Sequence, residues 1–233
     1  MKKVKGWYLL DDEADIENFL INKDIVWHGN LYESTIKSLS TTNNVFVDIG
    51  ANYGFISAML APLFDKVYAF ELIPATYDCL VKNMEKFPNV ECMPYGLGNK
   101  EETLWTMRRK RTAGHSQIIN DKEKLDIWLN GNHHKAHHVE IKEAAVKTLD
   151  SFKLDCLDLI KIDVEGFEEY VLEGAKDTIK EFMPAICLEV SSPKKCQVIR
   201  HIDCLKLLED WGYTVVKNIR NDYFLKSNKD LGL

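Results

Sequence analysis

The sequence contains no apolar run near the roughly 18 residues that a membrane-spanning helix needs. It has no Cys-x-x-Cys pair, no internal repeat, no low-complexity tract and no linker rich in Pro, Gly or Ser. Each absence removes a class of protein. Without a long apolar run there is no candidate membrane span. The basic start, Met1-Lys2-Lys3, is soon followed by Asp11, Asp12 and Glu13, unlike a signal peptide, so a cytoplasmic location is expected. The six cysteines (Cys79, Cys92, Cys156, Cys187, Cys196 and Cys204) are scattered, which supports neither a zinc site nor a disulfide framework. They read as reduced, mostly buried thiols. A net charge of −6 argues against broad affinity for nucleic acid, because a phosphate backbone needs a basic partner. The one basic run, Arg108-Arg109-Lys110-Arg111, reads as a solvated loop, with an anionic-substrate contact as its alternative.

What is present is globular in character: 233 residues, 45% hydrophobic and 28% charged. That length predicts one domain over 1–233 with additions, burying enough core to need no staples. Residues 1–42 carry helical spacing (Ile16, Phe19 and Leu20, then Leu31, Ile36 and Leu39) and read as a helical N-terminal cover. From Val45 the pattern changes. Val45–Ile49, Val67–Glu71 and Val90–Met93 are short apolar strands, separated by helices that begin near Phe55 and Pro74. This is a βαβαβ unit with a parallel sheet, whose ligands bind outside the carboxyl edge of the strands. Residues 99–150 break the alternation and read as an insertion over that edge. Leu157–Ile162 and Ala185–Val190 resume it as fourth and fifth strands, with helices over Phe167–Glu173 and Val198–Trp211. Tyr213–Val216 and Tyr223–Leu225 are close enough to form a hairpin, so one of them runs antiparallel to the rest. The expected architecture is a seven-stranded, mostly parallel α/β sheet with one antiparallel C-terminal strand.

Three segments carry the chemistry. In Asp48-Ile49-Gly50-Ala51-Asn52-Tyr53-Gly54, two glycines at a strand-to-helix turn allow a ligand to approach the backbone, and Asn52 sits where a positive φ is tolerated. The spacing is not the G-x-G-x-x-G of a dinucleotide site. Asp48 beside the turn repels phosphate and favours a cation, and S-adenosyl-L-methionine carries both a sulfonium and an ammonium. Glu71, about twenty residues on, can accept hydrogen bonds from both ribose hydroxyls. In Lys161-Ile162-Asp163-Val164-Glu165-Gly166-Phe167-Glu168, several ionisable groups crowd one strand end, which is costly unless they are paired or used.

The order of these segments resembles the FkbM-type methyltransferases. The match lies in Val47–Gly54, Ala69–Pro74 and Leu159–Gly166, with weaker likeness at Gly96–Gly98, Lys147–Asp150 and Pro184–Glu189, and covers roughly residues 30–226. The resemblance implies a Rossmann-like class I methyltransferase fold, S-adenosylmethionine as cofactor, and O-methylation of a sugar, glycan or small natural product. It implies that Asp48, Gly50, Asn52 and Gly54 line the methionine part of the cofactor, that Glu71 holds its ribose, that Tyr95 and Gly96 approach its adenine, and that Asp163 and Glu165 face the transferred methyl. Asn99 stands where the family usually has an acid.

Asp163, Glu165 and His115 are the candidate bases; His115 lies in the insertion, within Ala113-Gly114-His115-Ser116-Gln117. Glu33 and Glu189 are weaker candidates for contact with cofactor or acceptor. His133, His134, His137 and His138 read as a polar loop, and no spacing demands a metal, although Asp163 with Glu165 offers an option. Two rival functions share the fold: a nicotinamide-dependent oxidoreductase, weakened by the missing third glycine, and a catalytically silent binding protein. Neither the acceptor nor the oligomeric state is written in any motif.

Overall fold

A computed structural model describes residues 1–22, 30–111, 117–119, 139–190 and 203–233. The chain opens with two three-residue strands, β1 (Lys2–Val4) and β2 (Trp7–Leu9), paired antiparallel with Val4 opposite Trp7. Their loop is Lys5-Gly6, with φ of 44° and 89°, the left-handed pair that a two-residue hairpin favours. This corrects the expectation of a wholly helical cover, because strands of three residues are too short to show a period. Helices α1 (Asp15–Asn22) and α2 (Asn30–Lys37) follow, burying Ile16 and Leu20 and then Tyr32 and Ile36.

The alternation expected from Val45 is present as β3 (Val45–Ile49), α3 (Phe55–Leu60), β4 (Lys66–Phe70), α4 (Pro74–Met84) and β5 (Val90–Met93). Next come β6 (Gly96–Leu97), β7 (Glu102–Arg109), β8 (Gln117–Ile119) and β9 (Val139–Lys147), which form a separate sheet in the order β6-β9-β7-β8. The chain then continues through β10 (Leu159–Ile162), α5 (Glu168–Gly174), α6 (Lys176–Phe182), β11 (Ala185–Glu189) and α7 (Cys204–Asp210). It closes with β12 (Tyr213–Ile219), β13 (Asp222–Ser227) and α8 (Asn228–Leu231). The part of the expected Val198–Trp211 helix before Asp203 lies outside the described residues.

The main sheet runs β12-β13-β11-β10-β3-β4-β5. Every pair is parallel except those made by β13, which is antiparallel to both β11 and β12. This is the expected Rossmann-like sheet with its single reversed strand. Strand alternation divides the core between the two faces. Val47, Ile49, Ile160, Ile162, Ile186 and Leu188 pack with Val171, Leu172, Ile179 and Leu208 of α5, α6 and α7. Phe46, Leu159, Ala185 and Cys187 pack on the other face with Tyr32, Ile36, Ile56 and Leu60 of α2 and α3. Asp48 and Lys161 alternate onto that second face, which places two charges inside an apolar layer.

Arg108 corrects another expectation. It is 5% exposed, and its guanidinium meets Asp12 at 2.8 Å and Glu140 at 3.0 Å, tying the N-terminal cover to the second sheet. Its neighbours Arg109, Lys110 and Arg111 are exposed. The backbone carbonyl of Arg111 accepts from Ala14 N at 3.0 Å, at the same junction. Of the five described cysteines, all are free thiols; Cys79 and Cys187 are buried and the other three half-buried. No helix among the described residues is long and apolar enough to cross a membrane.

Candidate active site

A cavity of about 220 Å³ opens at the carboxyl ends of β3, β4, β10 and β11. Its position follows from the turn after β3. Gly50 N and Ala51 N both donate to Phe70 O at 3.0 and 2.9 Å, and Asp163 N donates to Ile49 O at 3.1 Å. These bonds carry the sheet register into the turns above it. Gly50 has φ of 80°, and a Cβ there would stand 1.9 Å from the carbonyl oxygen of Asp163. Only glycine lets the two turns meet. Gly54, with φ of 86°, caps α3, where a Cβ would press on Leu80 and Met84 at 2.7 Å. Asn52 has φ of 54°, as its residue type allows. Gly50→Ala is therefore expected to cost about 1–3 kcal/mol for overpacking, with strain from the left-handed backbone in addition. Urea unfolding of the variant beside wild type measures this; an unchanged midpoint would show that the turn relaxes freely.

Glu71 follows β4 and reaches back over the turn. Its Oε2 accepts from Asn52 N at 2.9 Å and its Oε1 from Ile73 N at 2.8 Å. Both oxygens are fixed in place, and each keeps a lone pair for a ligand. Burial pushes the carboxyl up to about 7, and the N–H groups of Ile73 and Asn52 offset only part of that. Two polar atoms of cavity-lining residues, Asn52 Oδ1 and Thr76 Oγ1, are buried without a hydrogen-bond partner. Orphan groups of this kind suit a polar ligand that satisfies them.

Asp48 is fully buried and does not line the cavity. Its Oδ2 accepts from Ser57 Oγ at 2.6 Å, while Oδ1 has no hydrogen bond and lies 3.8 Å from Lys161 Nζ. Burial raises the carboxyl above the ordinary aspartate range despite Lys161 and Ser57. Lys161, 3% exposed, also donates to Asp163 Oδ2 at 3.1 Å. Burial disfavours its charge, but Asp163 and Asp48 outweigh that and hold the ammonium above the ordinary lysine range.

The structure thus brings Gly50, Asn52, Glu71, Tyr95, Gly96, Asp163 and Glu165 to one cavity. Asp48 and Gly54 stand behind its wall. Lys147 Nζ sits 4.1 Å from the centre of the Tyr95 ring, a cation held over its face. Glu165 takes φ of 52° ahead of Gly166, whose N–H donates to Glu168 Oε1 at 2.8 Å. Glu189 lines the cavity; Glu33 does not, and pairs instead with Lys37 on α2. His115 and the histidines at 133–138 lie outside the described residues. Among the described residues, no three His, Cys, Asp or Glu side chains group as metal ligands. The sequence reading missed Thr76, and the roof residues Ile16 of α1 and Ile118 of β8. Thr76 had a signal, two positions after the helix-starting Pro74. The roof had none, because it depends on how distant segments dock.

The profile of the methyltransferase FkbM domain matches residues 48–215. Methyltransferase 1 of Beauveria bassiana (strain ARSEF 2860) is 27% identical, over 65% of this chain and 66% of that protein. Methyltransferase sdnD of Sordaria araneosa is 27% identical over 76% of each. The crystal structure of a methyltransferase FkbM from Methylobacillus flagellatus KT aligns with a TM-score of 0.51 at 18% identity, over 79% of this chain and 43% of that one. This last likeness is one of fold. The chain spans just under two thirds of the first of these proteins and less than half of the solved chain. The profile match begins at Asp48 and takes in the glycine turn, Glu71 and the Asp163–Glu165 turn. Since that stretch is well over half the chain and holds the cavity floor, the chain belongs to the methyltransferase FkbM domain family.

Proposed function

We propose that this chain transfers the methyl group of S-adenosylmethionine to a hydroxyl oxygen of a sugar, glycan or other small molecule. The observation that carries this reading is Glu71, a buried carboxylate with both oxygens pinned by backbone N–H groups and directed at a cavity above a parallel sheet. A vicinal diol, such as a ribose, offers that carboxylate two donors. Asn52 Oδ1 and Thr76 Oγ1 are further partners for cofactor polar groups, and Tyr95 with Gly96 forms the adenine side. The cofactor supplies an already activated methyl. The protein's work is to align the acceptor, exclude water and remove a proton.

Asp163 and Glu165 stand at the acceptor side of the cavity, and a positioned base there adds roughly 10² to 10⁴ in rate. Among the described lining residues, Asp163, Glu165 and Glu189 stand against one ammonium, that of Lys161, which already faces Asp163 and Asp48. Such a wall disfavours anionic acceptors and nucleic acid, and it suits neutral hydroxyl compounds. NAD is disfavoured by the lack of a third glycine in the turn.

Calorimetric titration with S-adenosylmethionine, S-adenosylhomocysteine and NAD is expected to show binding of the first two alone. Incubation with methyl-labelled cofactor is then expected to label sugars, glycosides or neutral alcohols, not oligonucleotides or carboxylic acids. Binding of NAD alone, or label appearing only in acids or nucleic acid, overturns the reading.

A further inference from the structure

Asp163 and Glu189 meet because their strands are in register. Ile162 of β10 pairs with Leu188 of β11, so the residues that follow stand side by side at the sheet edge. Both line the cavity, so the two carboxyls face the same space. Two adjacent carboxyls in a half-buried place cannot both ionise cheaply, and they titrate as a pair. The strand on the far side of β11 adds to the repulsion. Asp222 of β13 lies opposite Glu189. Asp48 of β3 stands behind, and Glu165 is on the same turn. Among the described residues the facing cation is Lys161 of β10, whose ammonium is 3.1 Å from Asp163 and 3.8 Å from Asp48. Below Glu189, Cys187 Sγ contacts the Tyr32 hydroxyl at 3.4 Å.

We propose that Asp163 and Glu189 form a proton-sharing carboxyl pair that releases its proton when the sulfonium form of the cofactor binds and takes one back from the acceptor hydroxyl. This rests on the methyl-transfer reading above. Burial, followed by the proximity of Asp163, raises Glu189 well above the ordinary glutamate range, so one proton is held on the pair near neutral pH. A fixed positive charge about 6 Å from a carboxyl, at an effective dielectric of about 20, shifts its proton equilibrium by about a hundredfold. S-adenosylmethionine carries such a charge on sulfur, whereas S-adenosylhomocysteine does not, and the two share every other charged group. The ionised pair therefore belongs to the complex that still holds a methyl to transfer. In the transfer, the acceptor oxygen bonds to the methyl carbon, sulfur keeps the electron pair of the broken bond, and the hydroxyl proton goes to the pair. The neutral thioether and the protonated pair are left together, which is the resting charge state of the cavity.

Titration calorimetry near pH 7.5, in phosphate and in Tris, counts the protons released on binding. S-adenosylmethionine is expected to release about one proton more than S-adenosylhomocysteine. Glu71 also faces the cofactor, but it meets the same ribose in both ligands, so its contribution cancels in the difference. In Glu189→Gln the two ligands still bind and the difference falls to near zero. In wild type, the ratio of the S-adenosylhomocysteine Kd to the S-adenosylmethionine Kd is expected to rise by up to about tenfold per pH unit from about pH 7 to 9. This second measurement decides the matter if the variant does not fold. Equal proton counts with a pH-independent ratio, or a difference that persists in Glu189→Gln, overturn the proposal and leave the cofactor reading standing. Failure of both ligands to bind overturns the cofactor reading itself.

Discussion

Glu71→Ala is expected to raise the Kd for S-adenosylhomocysteine by roughly 10² to 10⁴, since two hydrogen bonds to a charged group contribute about 1.5–3 kcal/mol each. The effect is large because, on the proposed reading, Glu71 would hold two ligand hydroxyls while it also holds the turn beneath them. Its Oε2 accepts from Asn52 N and its Oε1 from Ile73 N, so the alanine variant releases both segments. Isothermal calorimetry at matched pH measures the effect. A loss of less than tenfold would mean that Glu71 organises the turn without touching the ligand. The same residue gives a pH signature in the ligand-free protein. Between its usual 4.5 and its raised value of about 7, the folded state keeps a proton on Glu71 that the unfolded state has lost. Stability therefore falls as pH rises through that window. Asp222, which burial pushes up to about 6, acts in the same direction. The slope of Tm against pH is expected to be shallower in the alanine variant, and an unaltered slope would count against a buried, proton-binding Glu71.

Lys161→Met is expected to cost about 3–5 kcal/mol, the usual penalty for stripping a buried charge of its partner. The ammonium is 3% exposed and stands near Asp48, which has no exposure at all. The sheet register imposes this, for Lys161 is paired with Asp48 on one side and Cys187 on the other. Without the ammonium, Asp48 Oδ1 would keep neither a hydrogen bond nor a counter-charge. Adding Asp48→Asn should restore much of the loss, because the amide oxygen can still accept from Ser57 and no charge remains to be compensated. Urea unfolding of the two single variants and the double variant gives the coupling between them. Strict additivity would show that Lys161 acts through Asp163 alone.

Much of this protein is written locally. Val45–Ile49 ends in Gly50-Ala51-Asn52-Tyr53-Gly54, and that run is a strand followed by a left-handed turn in any context that buries it. Pro74 starts a helix because its fixed φ suits the first turn and its missing N–H is not needed there. Asn52 and Gly50 adopt the positive φ values that their residue types permit. Glu71, one residue beyond the end of β4, reaches the carboxyl edge by chain direction alone. The Tyr213–Ile219 and Asp222–Ser227 strands are too close in sequence to be anything but antiparallel. For the same reason, the positions of Asp163 and Glu165 at the cavity were legible from their place just after a buried strand.

Tertiary structure alone decided the rest. Asp48 reads from sequence as a cofactor ligand, yet strand alternation turns it under the turn toward Ser57 and Lys161. Arg108 reads as part of a solvated basic run, yet Asp12, from a segment far away in sequence, buries it. Glu189 gains its partner only because Leu188 aligns with Ile162 across two strands. Ile16 and Ile118 reach the cavity through the docking of the N-terminal cover and the second sheet. Local sequence determines which backbone shapes a segment can adopt, through sterics and side-chain period. Which charge meets which depends on registers set between distant segments by the burial of apolar surface, and no single segment contains that information.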